Sequence, residues 1–519
     1  TSNQPYASHA FPMAGVYSIT LIAYNESNPL GVTATVTVQV AAQVVHYVNI
    51  GNATPSSPFT SWATAATNIQ HAIDAASQVG ALVLVSNGVY ATGGVTNYPT
   101  GTELTNRVAI TKPVVLRSVN GPSATFIQGA RNYGEAIRCA YVGENAVLSG
   151  FTLTNGATRA TDDSDREQSG GGAWCEYSGI ISNCTLIGNS ANNNGGGAWG
   201  GTLNNCTLTG NSATNGGGAY NSTLKDCTVT GNSARNDGGG AWGGSVSNCT
   251  LTGNSAYNYG GGANNCTLNG CVLTSNRSAN YGGYGDAGGG GANNCTLNEC
   301  TLIGNSAHDG GGAYNSTLND CTVTSNSAGY GGGAAWGTLN NCTVTSNSAY
   351  VGGGAYGGML NNCMLTSNSA DYGGGAYSNT LNYCTLTGNS AEVGGGAYKS
   401  TLNNCTLTGN SAGYGGGGTY SGTLNNCTVT GNSARNGGGA NASILNNCTA
   451  TGNSAIFGGG VDDSTLNNCI VYFNKARSGA NYASSYSTIN FSCTTPAPGG
   501  TGNITNDPGL ASASHLSVD

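Results

Sequence analysis

The sequence predicts an all-β fold, a right-handed single-stranded parallel β-helix, and three observations lead to this prediction. A cysteine recurs every 21 or 22 residues within repeats close to T-L-N-N-C-T-L-T-G-N-S-A-x-x-G-G-G-A-Y. Glycine is abundant, at 87 residues, and only 7% of residues are charged. The apolar fraction of 38% is too high for a disordered chain, and 11 prolines are too few for collagen. Self-similarity at a fixed period of this length is the signature of a solenoid.

The chain divides into four segments. Residues 1–44 are a partial immunoglobulin-like β segment, and residues 45–160 form an N-terminal cap with irregular first coils. Residues 161–475 hold the regular repeats, and residues 476–519 are C-terminal coils that we expect to be incomplete. Within 61–77, Ala65, Ile69, Ile73 and Ala76 lie on one helical face. This amphipathic stretch is expected to cap the first coil, whose strand edges would otherwise be open.

Each regular coil is expected to contain three short strands, at residues 202–203, 206–209 and 217–220 in one repeat. Asn and Gly stand at the corners, because they accept left-handed dihedral angles. Right-handed crossovers are the rule between parallel strands. The predicted inward positions are Leu203, Cys206 and Leu208, and the predicted outward positions are Thr207 and Thr209. Stacked corner amides, at Asn205 and Asn211, are expected to hydrogen-bond along the axis.

The recurring cysteine marks one position in fourteen coils. This row consists of Cys184, Cys206, Cys227, Cys249, Cys271, Cys300, Cys321, Cys342, Cys363, Cys384, Cys405, Cys427, Cys448 and Cys469. The one longer step, Cys271 to Cys300, contains an insertion around residues 279–286. We expect a core ladder of free thiols, because buried thiols behave as small apolar residues. Cys266 and Cys295 are equivalent to each other outside this row and are the candidates for a disulfide.

An aromatic residue follows the glycine run in many coils. The predicted aromatic row consists of Trp174, Trp199, Tyr220, Trp242, Tyr314, Trp336, Tyr356, Tyr377, Tyr398 and Tyr420. If the row faces outward, it is an interface with a partner or a surface that binds sugar rings. If it faces inward, it belongs to the core.

A group of acidic residues precedes the first regular coil. Its members are Asp162, Asp163, Asp165 and Glu167. Four acids within six residues could supply oxygen ligands to Ca²⁺, the one cofactor that the sequence suggests. The alternative is an exposed acidic insertion, since the spacing is not that of an EF-hand.

Composition excludes several classes of function. The net charge is −8 and the 14 basic residues are scattered, which argues against nucleic acid as a partner. No apolar run is long enough to span a membrane. No signal peptide is visible, which fits a mature or trimmed form. Nineteen cysteines without metal-ligand spacing favour a secreted protein over a cytosolic one.

Catalysis is not predicted. Acidic pairs occur on adjacent coils, Glu299 with Asp320 and Asp371 with Glu392, but no Lys or Arg joins them in register. A polysaccharide lyase is therefore a less favoured alternative. Paired threonines such as Thr207 with Thr209 also suggest an ice-binding surface, although residues such as Val272 interrupt the array. Exposed β-branched residues of a sheet explain the same pattern.

Two sets of residues resemble known families. Residues 217–220 (GGAY) and 208–211 (LTGN) resemble the GGA(I/L/V/Y) and FxxN repeats of polymorphic outer-membrane proteins, although the phenylalanine is mostly Leu or Val here. The wider group comprises bacterial β-helix surface proteins of the pectate-lyase-like fold, and the resemblance covers about residues 45–519. Residues 6–11, 15–21 and 32–40 resemble the last strands of a PKD-type domain. The resemblance implies an extracellular or cell-surface protein, often an adhesin.

These observations favour an extracellular structural protein, a β-helical rod that assembles with itself into a surface filament or matrix. Uncharged faces oppose no neighbour electrostatically, and a partial immunoglobulin-like unit has edges to which another strand could add. The alternative is a monomeric adhesin or stalk whose partners are glycans.

Overall fold

The computed structural model describes residues 11, 13–25, 27–40, 42–132, 135–279, 288–483, 486–512 and 515–516. Most of the PKD-like motif at 6–11, most of the insertion at 279–286 and the last three residues lie outside these ranges. The regular secondary structure of the described residues is almost all β-strand, and the chain winds into a parallel β-helix, as the sequence predicts. The one α-helix of the described residues is seven residues long, which is too short to cross a membrane.

Each regular coil contributes one strand to each of four parallel sheets, so the prediction of three strands per coil misses one. The first sheet, the Asn face, pairs strands that mostly end in Asn. Its strands are Val45–Val48, Leu82–Val85, Val115–Ser118, Val147–Ser149, Ile180–Ser182, Thr202–Asn204, Thr223–Lys225, Ser245–Ser247, Thr267–Asn269, Thr296–Asn298, Thr317–Asn319, Thr338–Asn340, Met359–Asn361, Thr380–Asn382, Thr401–Asn403, Thr423–Asn425, Ile444–Asn446, Thr465–Asn467 and Thr488–Asn490.

The second sheet, the Thr face, follows the cysteine row. Its strands are Gly88–Tyr90, Thr125–Gln128, Thr152–Thr154, Thr185–Ile187, Thr207–Thr209, Thr228–Thr230, Thr250–Thr252, Val272–Thr274, Thr301–Ile303, Thr322–Thr324, Thr343–Thr345, Met364–Thr366, Thr385–Thr387, Thr406–Thr408, Thr428–Thr430, Thr449–Thr451, Ile470–Tyr472 and Cys493–Thr494. The outward threonines of successive strands stand in register, for example Thr207 beside Thr228.

The third sheet, the Ser face, is the one that the sequence did not predict. Its strands are Ser212–Asn215, Ser233–Asp237, Ser255–Ala256, Arg277–Ser278, Ser306–Asp309, Ser327–Tyr330, Ser348–Val351, Ser369–Tyr372, Ser390–Val393, Ser411–Gly415, Ser433–Asn436, Ser454–Phe457 and Lys475–Ser478. Most of these strands begin with Ser-Ala, and they lack a clear apolar alternation, which is the signal by which strands are recognised.

The fourth sheet, the aromatic face, follows the glycine run. Its strands are Thr105–Ile110, Ala130–Asn132, Glu135–Val142, Ala173–Cys175, Ala198–Trp199, Ala219–Tyr220, Ala241–Trp242, Ala263–Asn264, Ala292–Asn293, Ala313–Tyr314, Ala334–Ala335, Ala355–Tyr356, Ala376–Tyr377, Ala397–Tyr398, Thr419–Tyr420, Ala440–Asn441, Val461–Asp462 and Tyr482–Ala483. The strand Ala130–Asn132 is antiparallel to Glu135–Val142, and the regular coils are parallel throughout.

The core is a single apolar column along the axis. Leu203, Cys206 and Leu208 are buried, as predicted, and so are their equivalents in the other coils. Leu203 stands beside Leu224, so like side chains stack from one coil to the next. Stacking of identical residues keeps every coil the same size, which explains the near-constant period.

The corners are held by two kinds of asparagine, as the sequence predicts. Asn205 has a φ of 50°, and its side-chain nitrogen donates to Asn183 Oδ1 at 2.7 Å on the outside of the rod. Asn211 is fully buried, and its side-chain nitrogen donates to Asn232 Oδ1 at 2.9 Å. The buried ladder therefore continues inside the rod from coil to coil.

The first coil is closed by a short cap. A 3-10 helix, Trp62–Thr64, precedes the α-helix Ile69–Ala75. Asn68 is the N-cap of the α-helix, and its side chain accepts from the backbone nitrogen of Gln70. Ala65, Ile69, Ile73 and Ala76 are all buried, as predicted, but of these four only Ile69 and Ile73 lie within the α-helix.

Two small antiparallel sheets lie outside the coils. The strands Gly15–Asn25 and Asn28–Val40 pair with each other, and apolar side chains such as Leu30 and Val16 are exposed on them. The assignment of this segment to a PKD-type domain stays a prediction. Near the other end, Leu510–Ser512 pairs with His515–Leu516.

Candidate functional site

The glycine run sets the geometry of the aromatic face. Gly216 has a φ of 61°, and a Cβ atom on Gly217 would collide with the carbonyl oxygens of Ser233 and Gly239. Only glycine allows this close approach of neighbouring coils. The next two residues form the strand, with Ala219 pointing into the core and Tyr220 pointing outward, where it is half-buried.

The outward position of this strand forms one row along the rod. In register along it stand Tyr141, Trp174, Trp199, Tyr220, Trp242, Asn264, Asn293, Tyr314, Ala335, Tyr356, Tyr377, Tyr398, Tyr420, Asn441, Asp462 and Ala483. Nine of the ten residues in the predicted aromatic row occupy this position.

Trp336 is the exception, and its placement corrects the prediction. Its coil has two alanines after the glycine run, and the second, Ala335, takes the place of the aromatic residue. Trp336 moves on to the corner, where its φ is 56° and its side chain is exposed. Its ring meets the ring of Tyr356 edge-on, with centroids 5.3 Å apart.

The aromatic rings of the row stack on one another. The centroids of Tyr377 and Tyr398 are 5.0 Å apart with nearly parallel planes, and those of Trp174 and Trp199 are 3.8 Å apart. Ring faces inside each stack are therefore covered by their neighbours, and mainly edges are left for solvent. A continuous stack of this kind cannot offer its ring faces to sugars, so the place to look for a ligand is where the row is interrupted.

The widest interruption within the aromatic row consists of Asn264 and Asn293, between Trp242 and Tyr314. A cavity of about 360 Å³ opens here, and both amides line it together with Tyr259 and Tyr314. Sequence reasoning missed this site because it followed the aromatic residues. The signal was the Gly-Gly-Ala-Asn-Asn text that occurs in two successive coils.

Unsatisfied acceptors mark the cavity. Asn293 is 8% exposed, and its side-chain nitrogen donates to Asn264 Oδ1 at 2.8 Å. The Oδ1 atoms of Asn293 and Asp237 are buried, and neither has a hydrogen-bond partner in the described part of the chain. Burial also raises the pKa of the Asp237 carboxyl above its usual value.

The acidic residues before the first coil that were predicted to bind Ca²⁺ do not converge on one point in the described structure. Asp162 pairs with Arg159 at 2.7 Å, and Asp163 pairs with Arg166 at 2.7 Å. The backbone nitrogen of Arg166, followed by its guanidinium, lowers the pKa of Asp163.

The remaining two acids of this group point elsewhere. Glu167 is buried and accepts from the backbone nitrogen of Glu103, whereas Asp165 is exposed. Among the described residues, no three acidic, histidine or cysteine side chains converge on a point that could hold a metal ion.

A buried arginine behind this loop was not singled out from the sequence. Arg138 is fully buried and donates to the carbonyl oxygens of Ser169 and Gly170 at 2.8 and 2.9 Å and to Asn106 Oδ1 at 2.9 Å. Burial lowers its pKa to about 9, an effect that nearby Glu167 partly opposes. Arg138 thus fixes the loop that leads into the first regular coil.

The cysteine row is a ladder of free, buried thiols in the structure. The Sγ atom of Cys342 lies 3.4 and 3.2 Å from the carbonyl oxygens of Leu318 and Asn340, to one of which its thiol donates, and the Sγ atom of Cys363 accepts from the backbone nitrogen of Cys342 at 3.4 Å. Cys266 and Cys295 form a second short ladder, and both are free thiols as well. The disulfide predicted between them is absent because stacked side chains point in the same direction.

The acidic pairs considered for polysaccharide cleavage are neighbours on the outside of the rod. Asp371 and Glu392 are both exposed on adjacent strands of the Ser face. Glu299 and Asp320 are exposed corner residues, and Asp320 Oδ1 accepts from the side chain of Asn341 at 3.1 Å.

The fold and the site together define a β-helical rod with an aromatic and amide row along one side. No family model and no curated protein matches the chain. Among solved structures, it is similar to a rhamnogalacturonan lyase at 12% identity, covering 63% of this chain and 82% of that one with a TM-score of 0.23.

Two further similarities are of the same kind. The Dettilon tailspike protein is 12% identical over 72% of this chain and 66% of its own, with a TM-score of 0.30. A pectate lyase is 12% identical over 91% of this chain and 84% of its own, with a TM-score of 0.19. At these scores the similarity carries no argument about activity.

Proposed function

We propose that the protein is an extracellular, non-catalytic structural rod that packs side by side with other copies of itself through the Thr face. The observation that carries the proposal is the charge pattern of that face. From Thr185–Ile187 to Ile470–Tyr472, the described strands of the Thr face contain no charged residue. Charged side chains stand instead on the Ser face, such as Asp371 and Glu392, and at corners, such as Glu299.

The dimensions of the Thr face suit a weak but specific contact. Fourteen strands at the usual spacing give a length of about 62 Å, and three residues per strand give a width of about 10 Å. Two such faces would bury about 1,200 Å² in total, which is the lower end of specific interfaces. Methyl groups of threonine supply apolar area without charges that would have to be desolvated.

The extracellular location rests on sequence features. The repeats that resemble those of polymorphic outer-membrane proteins support a surface or secreted protein, and the low charge supports assembly. The exposed apolar strands Gly15–Asn25 and Asn28–Val40 would give a second contact between copies by strand addition.

Sedimentation velocity over a range of concentrations tests the proposal. The double variant Thr322→Lys, Thr385→Lys places two charges on exposed positions of the Thr face and is expected to weaken association strongly. The matched control, Ser378→Lys with Ser421→Lys, adds the same charge at exposed corners equivalent to the natural Lys399 and is expected to associate like the wild type. A wild type that stays monomeric throughout, or a Thr-face variant that associates normally, would contradict the proposal.

A further inference from the structure

We propose that the interruption of the aromatic row at Asn264 and Asn293 is a binding site for one neutral pyranose ring of a glycan. The inference is independent of side-by-side packing, because the site lies on the aromatic face and not on the Thr face. It begins from the cavity of about 360 Å³ over these two amides. That volume lies within the usual range for sites of small ligands.

Two unpaired acceptors beside the cavity favour a ligand that donates hydrogen bonds once their side chains turn towards it. Asn293 is more than nine-tenths buried, lines the cavity, and has an amide oxygen without a partner in the described structure. Asp237 also lines the cavity and leaves one buried carboxylate oxygen equally unpaired. A buried acceptor without a partner destabilises the structure, so two of them favour a ligand with at least two donor groups.

The composition of the lining favours hydroxyl groups over a cation. Asp237 is the one acidic residue among the described lining residues, and most of the others are asparagines, including Asn264 and Asn293. Calcium prefers six to eight oxygen ligands, with several carboxylates in its tighter sites. Amides both donate and accept, which matches hydroxyl groups that do the same.

Two tyrosines supply the apolar part of the site. Tyr259 and Tyr314 line the cavity, and the ring of Tyr314 lies over Gly288 of the preceding coil. On one side of the cavity, the rings of Tyr220 and Trp242 stack with centroids 4.5 Å apart and nearly parallel planes, which covers the ring faces between them. A sugar ring has an apolar face for a tyrosine and hydroxyl groups at its edge for the amides.

The test uses an array of printed oligosaccharides and a variant that fills the cavity. Asn293→Tyr introduces a tyrosine next to Tyr314. Other coils have two tyrosines in succession at this position, as Tyr356 and Tyr377 show, so we expect the fold to accept the change. We expect the wild type to bind at least one neutral glycan and Asn293→Tyr to lose at least 90% of the signal. Asp237→Ala removes an unpaired acceptor and is expected to weaken binding at least tenfold.

Matched controls separate the site from the row as a whole. Asn441→Tyr makes the same change at the equivalent row position, where the side chain of Asn441 donates to Asp462 at 3.4 Å. Asn436→Ala is the equivalent of Asp237→Ala in another coil. Both controls are expected to bind like the wild type, and unfolding curves check that all variants fold.

Three results would overturn the inference. The first is a wild type that binds no printed glycan, and the second is equal binding by Asn293→Tyr. The third comes from calorimetry with CaCl₂ and with butylammonium chloride: binding of either cation that is lost in Asn293→Tyr, without glycan binding, would assign the site to a cation instead.

Discussion

The buried side chain of Asn347 accepts two hydrogen bonds from Asn326, the equivalent residue of the preceding coil. Its Oδ1 atom accepts from the side-chain nitrogen of Asn326 at 3.0 Å and from the backbone nitrogen of Asn326 at 2.9 Å. Asn347 in turn donates to the carbonyl oxygen of Val323 at 2.9 Å. Each coil therefore depends on the next for the hydrogen bonds of its corner. This dependence gives the rod its cooperativity along the axis.

The buried asparagine ladder should be essential for stability. Asn347→Ala leaves two buried donors of Asn326 without an acceptor, and we expect the free energy of unfolding to fall by about 3 kcal/mol. Urea unfolding followed by circular dichroism measures this. The control Asn361→Ala, in the half-buried ladder of the Asn face, should cost about 0.5 kcal/mol or less. Equal losses for the two variants would contradict the distinction between the ladders.

One hydroxyl group on the Thr face should be replaceable without loss. Thr366 Oγ1 is buried and has no hydrogen-bond partner among the described residues. Thr366→Val removes this unpaired group and keeps the shape, so we expect the free energy of unfolding to stay constant or to rise by up to about 1 kcal/mol. Thr387→Val, at the equivalent position of the next coil, is the reference. A loss of more than about 1 kcal/mol that is confined to Thr366→Val would show that its hydroxyl has a partner.

Arg138 should be the most sensitive charged residue of the chain. Arg138→Met leaves the carbonyl oxygens of Ser169 and Gly170 buried and unpaired, and we expect a loss of about 3 kcal/mol or more. Thermal unfolding compares it with Arg117→Met, since Arg117 is exposed on the Asn face. Similar melting temperatures for the two variants would be evidence against a structural role for Arg138.

Much of the fold can be predicted from the repeat, because equivalent positions in successive coils carry the same type of residue. Each such position can therefore be assigned to the core or to a corner. The core positions at Leu203 and Cys206 and the ladder at Asn211 are of this kind. The sequence could not show the Ser face, whose strands lack alternation, or the shift of Trp336 by one residue after the extra alanine.

Most of the site could not be predicted for a different reason. The acidic residues before the first regular coil form ion pairs with arginines, as Asp163 does with Arg166. The positions of these arginines depend on irregular coils, which no repeat pattern describes. The cavity at Asn293 forms because aromatic residues are missing from two successive coils of the aromatic row. The sequence pattern that we followed was the presence of aromatic residues, so it did not indicate this site.

Buried thiols should make the protein sensitive to alkali. Burial raises the pKa of Cys139 to about 12 and that of Cys184 to about 11. Above pH 9 the unfolded chain loses thiol protons that the folded chain keeps, so stability should fall as the pH rises from about 9 towards 11. Urea unfolding at pH 8 and pH 10.5 measures the fall, which should be smaller in Cys139→Ala. An identical pH dependence in this variant would contradict the raised pKa.

Calcium should have no effect on the acidic loop. Asp162 and Asp163 already pair with arginines, and Glu167 accepts from the backbone. We therefore expect the melting temperature to be the same in CaCl₂ and in EDTA. A rise in calcium that disappears in Asp163→Asn would restore the calcium site that the sequence suggested.

Cryo-electron microscopy of the concentrated wild-type protein shows whether the rods associate through the Thr face. We expect rods that lie side by side, with the uncharged Thr face of one rod against a neighbouring rod. Isolated rods at every concentration, or rods that touch through their charged corners, would contradict this expectation.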